Sequence, residues 1–135
     1  MRFVQICDQV ETNNAEISRN ELLGTWINSN LDTSSIARVK ISEVDGKLQL
    51  QVFAIGPDGL IDWGPAEAQV FTAGPASHTA VGFTCRYDFG FAEAHLQAMI
   101  MKGLLVLAQF HLFKDDSGRA DYFLREYYAR SHDRF

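Results

Sequence analysis

Asp45-Gly46 stands between two runs of alternating apolar and polar residues, and it constrains the fold more than any other pair in the chain. Asp-Gly accepts positive φ at both central positions of a two-residue type I′ turn, whose twist matches that of paired strands. Such a turn sets Val44 opposite Lys47. Counting back, Ile41 meets Leu50, Val39 meets Val52 and Ala37 meets Ala54, while Lys40 meets Gln51 and Arg38 meets Phe53. One face of the hairpin is apolar and the other mostly polar, an agreement the turn alone does not require.

Six further stretches carry strand patterning: 24–30, 65–73, 78–88, 91–101, 104–113 and 119–129. Their links are short and rich in Gly, Pro or Asp: Gly56-Pro57-Asp58-Gly59, Gly74-Pro75, Lys102-Gly103 and Asp115-Asp116-Ser117-Gly118. Short links force neighbouring strands to run antiparallel. Eight meandering strands without a crossover helix predict an all-β, antiparallel up-and-down barrel, which leaves no sheet edge open. Residues 13–23, NNAEISRNELL, are expected to add a short N-terminal helical segment, with Asn14 as cap and Ile17 and Leu22 or Leu23 turned inward. The 135 residues fit one domain: an extension over 1–21, a barrel over 22–130 and a tail over 131–135.

Charge narrows the function classes. With 12 basic and 17 acidic residues the net charge is −5, and nucleic-acid binding, which needs a basic field, is not expected. The N-terminal MRFVQICDQV is interrupted by Gln5 and Asp8, so neither a signal peptide nor a membrane span is expected and the chain reads as cytoplasmic. Cys7 and Cys85 match no metal spacing and read as reduced thiols, Cys85 as a small hydrophobe.

The motifs carry a resemblance. Gly24-Thr25-Trp26 near the start of a barrel of this length resembles the calycin group, which includes the lipocalins, fatty-acid-binding proteins and avidins. In lipocalins such a Trp packs at the closed end under a late Arg, a role the resemblance offers to Arg125 or Arg130. GTWINSN also resembles the first avidin strand, which would place Asn28, Ser29 and Asn30 at a ligand; the many further Trp residues of an avidin pocket are absent, with only Trp63 besides Trp26. Over most of the chain, GTWxN, Asp62-Trp63-Gly64, Phe89-Gly90-Phe91 and SGRxDY (Ser117 to Tyr122) are similar to a group of small barrel proteins without a known activity. Members often carry a Cys pair before the DWG; IGPDGLIDWG has none. That likeness implies a fold and no activity.

Candidate chemistry depends on registers. If Lys102-Gly103 is a two-residue turn, Met101 faces Leu104, His95 faces Phe110 and His111 faces Ala94, so the two histidines lie on opposite faces and cannot share a metal. For the last hairpin two registers are open. A four-residue loop pairs Lys114 with Arg119 and sets Ala108 opposite Arg125. A three-residue loop with a bulge at Gly118 sets Gln109 opposite Arg125 and His111 opposite Phe123, gathering a polar patch able to orient a ligand. Otherwise Arg125 stacks on Trp26 to close the barrel. Asp62 is expected to accept backbone N–H bonds in its turn, and Trp63 either lids that turn or lines the mouth. Ser117 and the Asp115-Asp116 pair read as turn residues, so no catalytic residue, metal or cofactor is expected.

MIMKGLLVLAQFHLF and YFLREYY are apolar on both faces. Their outer face is covered either by the N-terminal segment or by a second copy in a homo-oligomer formed through strands six to eight. The small Ala92, Ala94 and Ala98 leave space inside the barrel or permit close subunit approach outside it.

The leading expectation is a binding protein for a small, apolar or amphipathic molecule held inside the barrel, with Trp26, Asn28, Trp63, Phe83, Tyr122 and Arg125 at the site. A cyclase-type enzyme that folds a reactive substrate by shape, and a structural or oligomerisation module with a filled core, are the alternatives.

Overall fold

Asp45 and Gly46 adopt φ of 53° and 76°, and Lys102 and Gly103 adopt 53° and 81°, so both tight hairpins turn through paired positive-φ residues as their sequences require. The computed structural model describes residues 17–131. Eight antiparallel strands follow in chain order: β1 Gly24–Asn28, β2 Ile36–Val44, β3 Lys47–Gly56, β4 Gly59–Thr72, β5 Ala80–Asp88, β6 Ala92–Met101, β7 Leu104–Phe113 and β8 Tyr122–Arg130. Each pairs with the next, and β1 closes on β8 through Trp26–Arg130, Ile27–Ala129 and Asn28–Tyr128. Closure pairs every strand on both sides.

The first hairpin keeps its expected register from Val44–Lys47 to Arg38–Phe53. It then departs: Ile36, not Ala37, faces Ala54, because a bulge at Ala37 takes one residue out of the ladder. The β6–β7 register runs as expected from Met101–Leu104 to Ala92–Phe113, with His95 opposite Phe110 and Ala94 opposite His111. In the last hairpin Ala108 faces Arg125 and His111 faces Tyr122, which is the first of the two registers. Pairing stops at Tyr122 rather than Arg119, because the Asp121 carboxylate accepts the Phe113 N–H at 2.9 Å and turns the chain away. The polar patch that the second register would have gathered around Arg125 therefore does not form.

The N-terminal helical segment is corrected. Among the described residues there is no helix, and residues 13–16 of the expected segment lie outside them. Ser18 instead bridges Thr79 in parallel: its N–H donates to His78 O at 2.7 Å, and the Ala80 N–H donates to Ser18 O at 2.8 Å. These sheet bonds take the backbone groups that a helix would need. A turn at 20–22 then drops Leu22, fully buried, into the barrel end.

Burial alternates along the strands and defines the inside. Trp26, Val39, Leu50, Phe83, Leu96, Leu107 and Tyr128, none more than 1% exposed, pack its interior. Ala92, Ala94 and Ala98 face inward with them. Trp26 plugs one end. Its Nε1–H donates to Leu22 O at 2.9 Å, and the Arg130 guanidinium lies 4.4 Å over the ring while donating to the carbonyls of Leu23 and Glu21. Arg130, not Arg125, is the arginine on the tryptophan. The chain enters the barrel at this end beside β5 and leaves it there too, where the Ser131 N–H donates to Thr25 O.

Outside, Met99, Met101, Leu104, Phe110, Leu112, Phe123 and Tyr127 are 36–53% exposed on the wall of β6, β7 and β8. A shallow outer groove of about 600 Å³ runs across that wall and contains Arg125. Among the described residues no helix is long and apolar enough to cross a membrane.

Candidate functional site

β4 begins at Gly59, earlier than the expected 65, because Pro57-Asp58 already completes the turn and the DWG stretch is strand rather than loop. Phe53 pairs with Asp62 and Gln51 with Pro65, so Trp63 and Gly64 together face Val52. This is a two-against-one bulge, with Gly64 at φ 86°. Asp62 holds it as expected: its Oδ1 accepts the Gly64 N–H at 2.8 Å and its Oδ2 accepts from Gln51 Nε2 at 2.8 Å. The bulge turns the Trp63 indole over the open end of the barrel.

Trp63 there meets Tyr87 and Phe89 edge-on, with centroids 5.3 and 5.0 Å apart, and His111 at 6.2 Å. Tyr87 donates its hydroxyl to Gly64 O at 2.9 Å, tying the bulge to β5, and burial pushes its pKa up. His111 and Tyr122, paired across β7 and β8, stack at 4.5 Å with planes 9° apart. Arg119 lies over the Phe113 ring at 4.3 Å. Trp63, Phe89, Phe91, His111, Phe113, Arg119 and Tyr122 line a recess of about 500 Å³ at the mouth.

A chain of hydrogen bonds descends from the recess into the wall. His111 Nε2 lies 2.9 Å from Gln109 Oε1, and Gln109 Nε2 donates to Ser35 Oγ at 2.9 Å. Gln109 is fully buried, so a hydrogen-bonded neighbour is a condition of its being there. Burial lowers the His111 pKa below its ordinary 6.5 and favours the neutral ring. The unfolded chain takes up the proton first, so this contribution to stability is present above pH 6.5 and lost as the pH falls through the lower folded value. Replacing His111 by Phe is expected to shrink the loss of unfolding free energy between about pH 7 and pH 5. Urea titrations at the two pH values check this; an unchanged pH dependence sinks it.

The sequence-derived candidates separate. Trp63 and Tyr122 meet at the mouth. Phe83 and Trp26 are in the packed interior and the plug. Asn28 is 3% exposed and holds the β1–β2 connection, donating to Ile36 O and accepting the Asn30 N–H at 2.8 Å. Arg125 stands on the outer wall. Ser117 is a turn residue, its Oγ donating to Asp115 Oδ1 at 2.6 Å and receiving Arg119 Nε at 2.9 Å. Cys85 is an apolar wall residue, its thiol raised to about 11 by burial. His95 lies outside, beside Glu93.

Sequence reasoning did not name Phe89, Phe91, His111, Phe113 or Arg119 as one site. The signal was present as motifs: DWG, FGF and SGRxDY, widely spaced in the chain, each deliver side chains to this recess. The closed barrel is compatible with a calycin-like fold. Comparison with protein-family models, curated proteins and solved structures finds no match to the chain.

Proposed function

We propose that the protein binds a small, largely apolar molecule at the mouth of the barrel, above rather than within the packed interior. The observation that carries this reading is the convergence of Asp62-Trp63, Phe89/Phe91 and Arg119/Tyr122, from three separate stretches, on one aromatic recess. Exposed rings so gathered give a ligand flat contact surface at little cost in side-chain freedom. A polar floor, His111 on Gln109, supplies orientation.

Native mass spectrometry of protein purified from its host tests it. A retained mass of a few hundred daltons, of the size such a recess encloses, is the expected result, with the adduct lost in a Trp63→Ala variant. An adduct that survives Trp63→Ala and Tyr122→Ala places the ligand elsewhere and rejects the reading.

A second reading concerns the outer wall. The apolar stripe of β6, β7 and β8 favours self-association through that face, since an exposed patch of this kind is a liability for a monomer. The two readings are compatible: the recess opens at the end of the barrel and the stripe runs along its side.

A further inference from the structure

We propose that the recess selects an uncharged, planar aromatic ligand bearing a hydroxyl or N–H donor, which His111 Nδ1 receives. The inference rests on the mouth-binding reading and names its ligand class.

The Gln109 side-chain nitrogen donates to Ser35 Oγ at 2.9 Å, and its oxygen lies 2.9 Å from His111 Nε2 while also accepting from Ser35 Oγ at 3.2 Å. An amide oxygen only accepts, and the proton between them therefore belongs to His111 Nε2. A neutral imidazole carries one N–H, so Nδ1 is left as a bare acceptor. Burial favours the neutral ring. Among the described residues Nδ1 has no hydrogen-bond partner, and it is not buried. His111 lines the recess, where a bound ligand can reach an accessible Nδ1. The Tyr122 ring stacked on the imidazole holds the plane in which that lone pair lies.

The charged residues of the recess are already engaged. Arg119 donates from Nη2 to Asp115 Oδ2 at 2.7 Å and from Nε to Ser117 Oγ, with the Phe113 ring against its face. Asp62 spends one oxygen on Gly64 and the other on Gln51. A ligand anion would share the Arg119 guanidinium with Asp115, and a ligand cation would share Asp62 with the bonds that hold the bulge. What remains is a set of aromatic faces bearing the Tyr122 hydroxyl and the Trp63 indole N–H, and one group that only accepts, His111 Nδ1. A phenol-like or N–H heteroaromatic molecule complements both. An aromatic ligand without a donor covers Nδ1 and leaves it unpaired, which counts against it.

Matched probes test the rule. The full chain is titrated calorimetrically with 2-naphthol and with 2-methoxynaphthalene, which differ in the donor. 2-Naphthol is expected to bind about tenfold more tightly, and His111→Phe, which keeps a ring on Tyr122, is expected to bring the two together. The 15N shift of His111 Nδ1 gives a readout that needs no variant. It should lie in the unprotonated range in the free protein and move with 2-naphthol but not with the ether. Equal affinities in the wild type, with both lost in Trp63→Ala, overturn the donor rule and leave the recess as a binding site. A protonated Nδ1 in the free protein overturns the rule as well. Binding of neither probe overturns the mouth-binding reading and this inference with it.

Discussion

Replacing Trp26 by alanine is expected to lower the unfolding free energy by about 3–5 kcal/mol, the range for deleting a fully buried large aromatic. For a chain of this length that is a fall of roughly 10–18 °C in melting temperature. The expectation exceeds that for an average core residue for a structural reason. Trp26 is 1% exposed, holds Leu22 O with its indole N–H, and carries the Arg130 guanidinium on its face. Its loss leaves a buried carbonyl unpaired and removes the surface on which Arg130 lies. Trp26→Phe restores the apolar contact without the hydrogen bond and should fall between the two. Chemical denaturation of the three proteins is the measurement. A loss below about 1 kcal/mol for Trp26→Ala means that Leu22 and its neighbours close this end without it.

The second large effect is expected at the outer wall. Phe110 and Phe123 face each other across β7 and β8 with ring centroids 5.0 Å apart, 37% and 53% exposed. If this wall joins two copies around a twofold axis, each ring counts twice. Replacing the pair by Phe110→Lys and Phe123→Glu puts opposite charges at directly opposed positions, which the sheet tolerates. It removes four central aromatic anchors from the dimer and should weaken it at least about a thousandfold. Sedimentation velocity is expected to show a wild-type dimer and a variant monomer of unchanged fold. A wild-type monomer at all accessible concentrations refutes self-association through this face.

What the sequence made legible was local. Asp45-Gly46 and Lys102-Gly103 each set a register from the turn outward, because a two-residue loop leaves the chain no freedom to slip. Bulges were not legible. Ala37 drops out of the ladder, and Trp63-Gly64 doubles against Val52, with no sequence pattern to separate these from loop or regular strand. The helical expectation near the N-terminus failed at Ser18 because the competing partner, Thr79, is distant in sequence. The last hairpin allowed two registers, and a side-chain bond from Asp121 accompanies the one adopted.

The site was legible in pieces. DWG, FGF and SGRxDY could be picked out singly, but their meeting depends on barrel closure and on the way the bulge turns Trp63. Arg125 is the instructive case. One register would have placed it in the barrel with Gln109 and His111, and a shift of one residue puts it on the outer wall. Every side chain of β8 depended on that alternative.

Both ends of the described chain emerge beside the Trp26 plug, Ser18 next to Thr79 and Ser131 next to Thr25, while the aromatic recess opens at the opposite pole. The barrel thus has a built-in handle. A dye or a solid support attached at Ser131, where the described chain leaves the barrel, sits at the pole away from the mouth. Anchored molecules would present their recesses to the solution in one orientation, a ready geometry for a surface-bound sensor.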